Sequence, residues 1–547
     1  MDHTRPIRQL ILFTVLINAA AMLSPIINSG DALTYASIAR HMALSHDWIR
    51  LVVDGQDWLD KPHFPFWITA LSFRLGGVSA FTYILPGFLF HLLGAYYTYR
   101  LARLWYDTPT AWLAVLIYVS TFSLLDSSIE IKAEAFLRGQ ILGACYHWLR
   151  YDADARGRDL LLGALYTGLA VMTKGIFCLL TIASGLVCLW MYRRQWSRPL
   201  QPRWWLALAL SLLCAAPELI ALHLQFQQPL ALGNLAQPTS AFKFFFWDSQ
   251  FGRFFNTGPI QNHGGYPLYF VLVFLWAFMP WTGVAVATLR HQLVRWRHLD
   301  RQARQGFVYL FSTFACTFVV FSATKFQMSY YIDILLPFMA ILCARFFSQV
   351  EIGQAFYRAQ LGLVGFLVFL VVALTAYVMN AAITLVVVGV GLAAYLYRRG
   401  LGDTPLKLRF VGYSVFAVTL VFIFSALLSY SAFSRYGLAV QAARTLGRQS
   451  DVPIVVYQMP EVAHELTLYS RALVQSVEST EALKNISGRY YLIVQHPQAD
   501  EVVRGVTVVR RESHELAVHK TGTLGKLLKL AKGTWPLESI DYLEIFR

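Results

Sequence analysis

Apolar runs of about twenty residues recur along the chain to about residue 431, and this recurrence limits the fold more than any other feature. A helix of about twenty apolar residues crosses the hydrocarbon core of a bilayer. Of the 547 residues, 56% are hydrophobic and 14% are charged, whereas soluble domains carry about 25% charged residues. The sequence therefore predicts an α-helical, polytopic membrane protein.

Thirteen spans fit this pattern, and the charges between them indicate their direction. Arg5 and Arg8 precede the first span, and clusters of basic residues then follow the even-numbered spans. Because positive loops stay in the cytoplasm, this pattern predicts a cytoplasmic N-terminus and a C-terminus on the outer side. The predicted spans lie near 9–27, 80–99, 110–126, 132–149, 159–174, 175–192, 204–223, 266–289, 307–323, 328–345, 359–377, 380–397 and 411–431.

The composition changes near residue 435. VPIVVYQM, YYLIVQ and VTVVRR are short β-like runs, and AVHKTGTLGKLLKLAKG is typical of a loop followed by a basic helix. We therefore expect residues 1–434 to form a transmembrane domain with long outer loops at 28–63 and 225–265. Residues 435–547 are expected to form a small soluble α/β domain on the outer face.

Two features argue against other classes of protein. The net charge of +15 comes mostly from arginine clusters between apolar runs, which membrane topology explains, so nucleic acid is not expected as a partner. The six cysteines all lie inside apolar runs and form no CxxC pair. They are typical of small apolar core residues and indicate neither a disulfide framework nor a metal site.

Polar residues that interrupt or border the spans share the outer side of the predicted membrane. Ionisable groups at membrane depth are usually functional and tend to pair across a cavity. Lysine and arginine hold phosphate, and carboxylates do acid–base or metal work, so the set predicts a site for a polar, phosphate-bearing substrate. Its members are Asp31, Asp60, Lys61, His63, Glu130, Lys132, Glu134, Lys174, Trp247, Asp248, Arg253, His263, Lys325 and Tyr330.

Several of these residues also have a purely structural interpretation. In this interpretation Lys174 and Lys325 are snorkelling lysines: their apolar stems lie in the membrane and their ammonium groups reach the interface. In the same interpretation Asp31 caps the helix that begins at ALTYASIARHM, and the negative charge of Glu134 offsets the dipole of its helix. His263, in QNHGGYP, fits an ordinary loop histidine. Their shared side of the membrane favours the functional interpretation.

Several motifs follow one another within residues 1–345. The first outer loop carries GDALTY, HDW, DKP and FRLGG; LAVMTKG, FFFWDSQFGRF, YPLYFVLVFLWAFMPW and FSATKFQMSYYIDILLPFMA come later. In this order they resemble bacterial glycosyltransferases of the GT-C type, which include protein mannosyltransferases and lipid A aminoarabinose transferases. Aminoarabinose transferases usually have Asp-Glu-x-Arg-Tyr at the first motif, where this chain has Asp31-Ala32-Leu33-Thr34-Tyr35. The motifs therefore indicate the enzyme type better than the substrate.

The resemblance implies a polyprenyl-phosphate sugar donor, undecaprenyl phosphate in bacteria, that enters from the bilayer. The sugar would be transferred with inversion at the anomeric carbon. The leaving lipid phosphate must be stabilised as its charge develops. Lys61 matches the family's lysine for this role, and we expect Arg253, Lys325 and Tyr330 as further phosphate contacts.

The resemblance also implies a carboxylate that positions the acceptor and deprotonates it if it is a hydroxyl. Asp31 matches this catalytic residue, and Glu134 is the positional match for a second acid. Tyr35 and Lys174 lie in matching motifs and are expected to support the site. The family further suggests a structural divalent metal, such as zinc, held here by Asp60 and His263, although zinc ordinarily takes three or four protein ligands.

Lipid A is the acceptor that we expect, with transfer of the aminoarabinose type on the periplasmic face of the bacterial inner membrane. A protein or surface-glycan acceptor is the alternative, as in the protein mannosyltransferases, and a polymerase or ligase of lipid-linked glycans stays open. A transporter is disfavoured because no internal repeat is visible and the polar set is one-sided. The polar outer loops argue against a protein that only anchors the C-terminal domain.

Overall fold

The computed structural model describes residues 4–24, 30–53, 56–227, 240–262, 265–400, 405–446, 452–470, 472–504, 506–517 and 524–547. Helices fill most of the chain up to residue 446, and a mixed sheet follows. The first helices are α1 (Thr4–Ala21), α2 (Gly30–Ser45), α3 (Phe64–Gly76), α4 (Ala80–Ala102), α5 (Thr108–Val119), α6 (Phe122–Asp126), α7 (Ala133–Asp154), α8 (Gly157–Lys174), α9 (Cys178–Tyr192) and α10 (Pro202–Gln225).

Shorter and broken elements come next. The helices are α11 (Ala241–Lys243), α12 (Arg253–Phe255), α13 (Tyr269–Ala277), α14 (Thr282–Val294), α15 (Arg301–Ala323), α16 (Leu336–Gln349), α17 (Gln354–Val378), α18 (Ala381–Gly400), α19 (Leu406–Tyr436) and α20 (Leu438–Thr445). A π-helix, Phe244–Gly252, joins α11 to α12, and 3-10 helices lie at Arg198–Leu200, Trp296–His298 and Ser329–Ile334. A two-stranded hairpin, β1 (Val52–Val53) with β2 (Gln56–Asp57), lies in the first long loop.

A helix, or a helix broken within the segment, lies at each of the thirteen predicted span positions. By length and apolar composition, four described helices are able to cross a bilayer: α10, α15, α17 and α19. A fifth is added if α13 and α14, which meet at a bend of 113°, form one broken span. The helical membrane fold is confirmed, and the count of thirteen spans stays a prediction.

Helix α7 explains why composition alone undercounts the spans. It carries Glu134, Arg138, Gln140 and His147, all of them buried. It packs against α4, α8 and α9, so its polar side chains face other helices and not lipid. A helix enclosed in this way does not need the apolar surface of a lipid-facing span.

Close helix packing in this region depends on glycine. Gly168 of α8 faces α10, where an added Cβ would lie 2.5 Å from Cys214 Cβ and 2.8 Å from the Cys214 carbonyl carbon. Gly163 of α8 packs closely against the ring of Trp148, and Gly143 of α7 packs closely against the ring of Tyr166. Small residues let helix backbones approach closely where no hydrophobic effect drives them together.

The C-terminal part forms a five-stranded mixed sheet. Strand β3 (Ile454–Tyr457) lies parallel to β4 (Val474–Val477) and β5 (Arg489–Gln495), and β7 (Glu538–Phe546) lies antiparallel to β5 and β6 (Thr507–Leu516). The order is β4-β3-β5-β7-β6. The α/β prediction is thus confirmed. The helices of this part are α21 (Pro460–Tyr469), α22 (Thr480–Lys484), α23 (His496–Val502) and α24 (Leu524–Lys532).

Alternating side chains give this sheet two buried faces. Ile454, Val456 and Ile493 pack on one face with α20 and α21, and Val455 and Leu492 pack on the other. Helix α21 also packs against α2, and α24 packs against α17 and α19. The sheet part is therefore held against the helical part at two places.

Gly168→Val is expected to lower the thermal stability of the full-length protein in detergent. The added side chain would push α8 away from the α10 backbone, and overpacking of this kind costs about 1–3 kcal/mol. The control is Gly389→Val in α18, where an added Cβ meets nothing within 4 Å. Equal melting temperatures for the two variants would contradict the close approach of α8 to α10.

Candidate functional site

A buried carboxylate, Glu218, fixes the segment Asp60-Lys61-Pro62-His63. The His63 backbone N–H donates to Glu218 Oε2 at 2.8 Å, and His63 Nδ1 lies 3.0 Å from Glu218 Oε1. His63 Nε2 lies 2.8 Å from the Ile49 carbonyl oxygen. Both side chains are fully buried. The loop that carries Lys61 is thereby attached to α10.

Asp60 forms ion pairs with two cations, Lys61 and Arg253, that lie far from each other in the sequence. Lys61 Nζ lies 2.6 Å from Asp60 Oδ2, and Arg253 Nη2 forms an ion pair with Asp60 Oδ1. The Arg253 guanidinium also lies 5.2 Å from the centre of the Phe326 ring. Buried Arg253 Nε has no hydrogen-bond acceptor among the described residues. The trio carries one more positive than negative charge, which suits a singly charged anion.

A cavity of about 850 Å³, measured to its open mouth, lies beside this trio. Its polar end is formed by Asp60, Lys61, Lys174 and Arg253. Its walls are mostly aromatic. The aromatic lining residues are Phe177, Phe244, Phe245, Phe254, Phe321, Phe326 and Tyr331. An apolar pocket with a few convergent polar groups is the usual form of a small-molecule site.

The turn after Lys174 is shaped by a glycine. Gly175 has a φ of +90°, and an added Cβ would lie 2.3 Å from Gln250 Nε2. Gln250, in the π-helix, accepts a hydrogen bond from the Phe177 backbone N–H at 3.2 Å and donates to the Lys174 carbonyl oxygen at 3.4 Å. Glycine is needed here for both backbone conformation and space. The Thr-Lys-Gly motif thus brings α8 and the π-helix together at the cavity.

A second group of charges adjoins the polar end of the cavity through Lys174. Lys174 pairs with Glu134 of α7, and its Nζ lies 3.8 Å from the centre of the Tyr331 ring. Lys132 Nζ lies 4.3 Å from the centre of the Tyr330 ring. Cations over aromatic rings are stabilised by the ring quadrupole. The 3-10 helix Ser329–Ile334 therefore packs its two tyrosines against two lysines.

Asp31 lies in the first turn of α2 and is exposed. Its Oδ2 accepts a hydrogen bond from Tyr330 Oη at 3.5 Å, a long contact. Tyr35, one turn along α2, is buried against Phe66 and Trp58. Burial, and then the negative charge of Asp31, raises the pKa of Tyr35 well above its usual value. Tyr35 thus stays a neutral phenol beneath Asp31.

Five of the predicted site residues that the structure describes do not line the cavity: Asp31, Tyr35, Glu134, Lys325 and Tyr330. Lys325 is exposed and does not line it, although its backbone N–H donates to the Phe254 carbonyl oxygen at 2.9 Å. Tyr330 does not line it either, whereas its neighbour Tyr331 does. His263 lies outside the described residues. Of the expected phosphate contacts, Lys61 and Arg253 thus line the cavity and Lys325 does not, and their contact with phosphate stays a prediction.

The described residues do not complete a metal site around Asp60, and the second expected ligand, His263, lies outside the described residues. Both oxygens of Asp60 are already in ion pairs with Lys61 and Arg253. Within the described ranges, no three His, Cys, Asp or Glu side chains stand close enough to hold a metal ion. The metal therefore stays a prediction.

Three buried charged residues were missed as contributors to the site. Glu218 lies within an apolar span and holds the Lys61 segment. Asp333 accepts a hydrogen bond from Ser123 Oγ at 2.5 Å, and Arg138 Nη1 donates to Ser127 Oγ at 2.8 Å. These contacts fix the 3-10 helix and α7 against α6. The available signal was a charged residue inside an apolar run, in APELIAL, FLRGQIL and YIDILL.

Similar proteins are found by sequence. Residues 60–220 match the family described as dolichyl-phosphate-mannose-protein mannosyltransferase. The undecaprenyl phosphate-alpha-4-amino-4-deoxy-L-arabinose arabinosyl transferase 2 of Proteus mirabilis is 27% identical over 372 residues, which are 65% of this chain and 62% of that protein. The corresponding transferase of Pseudomonas aeruginosa is 28% identical over 344 residues, 61% of this chain and 59% of that protein. The matched regions thus span less than two thirds of these relatives.

The fold has a solved counterpart over nearly its whole length. The crystal structure of ArnT from Cupriavidus metallidurans bound to undecaprenyl phosphate superposes with a TM-score of 0.73 and 17% identity. The superposition covers 99% of this chain and 98% of that chain. This chain thus has the fold of that protein, and its sequence resembles the GT-C type glycosyltransferases that include the protein mannosyltransferases and the aminoarabinose transferases, as its motifs predict.

Proposed function

We propose that this chain is an inverting glycosyltransferase that moves a sugar from a polyprenyl-phosphate donor, undecaprenyl phosphate in bacteria, to lipid A. The observation that carries the proposal is the cavity with Lys61, Asp60 and Arg253 at one end and phenylalanine walls beyond them. A polyprenyl-phosphate sugar has matching parts, since one phosphodiester charge joins a long apolar chain to a sugar. Relatives named as arabinosyl transferases support an aminoarabinose-type sugar.

In the proposed reaction an acceptor oxygen attacks the anomeric carbon from the face opposite the lipid phosphate. The bond between that carbon and the phosphate oxygen breaks, and its electron pair stays on the leaving phosphate. Lys61 and Arg253 stabilise the charge that develops there, because preorganised cations act strongly where water is excluded. Asp60 holds both cations in place before the donor arrives.

Asp31 faces the acceptor in this scheme. If the acceptor is a lipid A phosphate, it is already ionised, and Asp31 mainly orients it. If the acceptor is a hydroxyl of a protein or surface glycan, Asp31 must also take its proton. The match of residues 60–220 to a family of protein mannosyltransferases favours this second acceptor class as the alternative. Glu134, paired with Lys174, is a supporting acid in both schemes.

The proposal places the protein in the bacterial inner membrane, with its N-terminus in the cytoplasm and the transfer site and C-terminal sheet in the periplasm. The basic clusters after alternate spans support this orientation. A transporter is less well supported, because the predicted site residues Asp60, Lys61, Lys174 and Arg253 gather around one cavity near one end of α7 and α8.

Lys61→Ala is expected to weaken binding of undecaprenyl phosphate at least tenfold. One charge-assisted contact to the phosphate is lost, which costs about 1.5–3 kcal/mol. The dissociation constant is measured by native mass spectrometry of the purified protein. The control is Lys484→Ala, an exposed lysine of α22. Equal affinity in both variants would remove Lys61 from the donor site.

Asp31→Asn is expected to reduce transfer without unfolding the protein. Mass spectrometry of lipid A from cells with the native protein should show an added sugar, which the Asp31→Asn variant reduces or removes. The control is Asp500→Asn on the exposed surface of the sheet part. Lipid A that is unchanged by the native protein would exclude lipid A as acceptor. Full transfer by Asp31→Asn would refute the role of Asp31.

Glu218→Ala is expected to weaken donor binding indirectly, through the segment that carries Lys61. It leaves the buried His63 backbone N–H without its acceptor, which costs about 1–3 kcal/mol and loosens the Lys61 segment. The donor KM should rise while kcat at saturating donor changes little, and Glu218→Gln should restore part of the affinity. Glu351→Ala is the control, since its side chain is 95% exposed. An unchanged donor KM with lower melting temperature would mean that Glu218 is only structural.

A further inference from the structure

A second cavity, of about 700 Å³, lies at the far ends of the helices that carry Glu134 and Lys174. Glu134 is in the first turn of α7 and Lys174 ends α8, whereas this cavity lies where α7 ends and α8 begins. It therefore belongs to the opposite membrane face from the proposed transfer site. The side chains on which the inference rests are Tyr96, Arg100, Tyr146, Arg150, Arg156 and Arg158.

The cavity has more positive than negative charge. Asp154 pairs with Arg150 at 3.1 Å and with Arg156 at 3.4 Å. In the part of the chain that the structure describes, no carboxylate forms an ion pair with Arg100 or Arg158. The negative lining residue, Asp159, is held by His147 Nδ1 at 2.7 Å and lies 3.9 Å from Arg150. Two guanidinium groups are thus left to bind an anion.

Arg100 is held in place by two phenols. Its Nη1 donates to Tyr96 Oη and its Nη2 to Tyr146 Oη, both at 2.5 Å. The guanidinium lies 4.8 Å from the centre of the Tyr146 ring. Tyr97 Oη lies 3.0 Å from His147 Nε2, and both buried side chains also line the cavity. A fixed, planar guanidinium is suited to binding phosphate oxygens.

An apolar surface continues from the cavity along α8. Leu161 and Leu165 are 61% and 42% exposed, and they lie on the same side of α8 as Arg158. In a bilayer these leucines face acyl chains. A free phosphate ion would contact the arginines only, whereas a phospholipid would contact both the arginines and the leucines.

We propose that this cavity binds the phosphate headgroup of an anionic phospholipid from the leaflet opposite the transfer site, with the acyl chains along Leu161 and Leu165. Basic pockets between membrane helices bind anionic headgroups in this way. The site is independent of the proposed transferase activity, because it uses none of the residues assigned to the donor or acceptor.

The test is native mass spectrometry of the full-length protein in neutral detergent, with added phosphatidylglycerol or phosphatidylcholine. Phosphatidylglycerol is expected to form the more stable adduct, and Arg100→Ala/Arg158→Ala should weaken it about tenfold, as expected for lost charged hydrogen bonds. The control, Arg295→Ala/Arg297→Ala, removes the same charge from exposed positions near α14. Equal adducts in the two double variants would overturn the proposal.

A second measurement distinguishes the lipid from free phosphate. Phosphatidylglycerol should raise the melting temperature of the native protein and the control, but not of Arg158→Glu, a charge reversal at an exposed position that is compatible with folding. Inorganic phosphate at the same concentration should have no comparable effect. An equal rise with inorganic phosphate, or an undiminished lipid effect in Arg158→Glu, would overturn the lipid assignment.

Discussion

The ion pairs of Asp60 with Lys61 and Arg253 are the interaction on which the rest of the site depends. Arg253 lies 193 residues from Asp60 in sequence, so this one carboxylate brings two remote segments together. Partly buried cations near a membrane are costly unless they are paired. Because two cations share one carboxylate, one positive charge remains for a ligand. This remaining positive charge matches the single negative charge of a sugar-bearing lipid phosphate.

The surrounding helices hold this arrangement in position. Glu218 attaches the Lys61 segment to α10, and Gln250 attaches the π-helix to the turn after Lys174. Helix α2, which carries Asp31 and Tyr35, packs against α21 of the C-terminal sheet part. The sheet part thus touches the helix that is proposed to face the acceptor, and this contact gives the C-terminal residues a structural connection to the site.

Much of the fold and part of the site followed from the sequence, because apolar length, loop charge and motif order are local signals. They predicted helices at the right places and put Lys61 and Arg253 in one site, but they assigned Asp60 to a metal and not to ion pairs with these two cations. They did not predict that Tyr331, and not Tyr330, lines the cavity, since a 3-10 helix sets which side chain turns inward. Of the C-terminal strands, β4 and β7 were also missed. Glu218 was overlooked because its partner, His63, is 155 residues away.

The proposed donor site is tested most directly by an experimental structure of the protein with undecaprenyl phosphate, the donor's lipid part. We predict that the phosphate lies within hydrogen-bond distance of Lys61 and Arg253, with the prenyl chain between Phe177, Phe244 and Phe321. A phosphate bound elsewhere, with the Asp60 ion pairs unchanged and the cavity filled by something else, would contradict it.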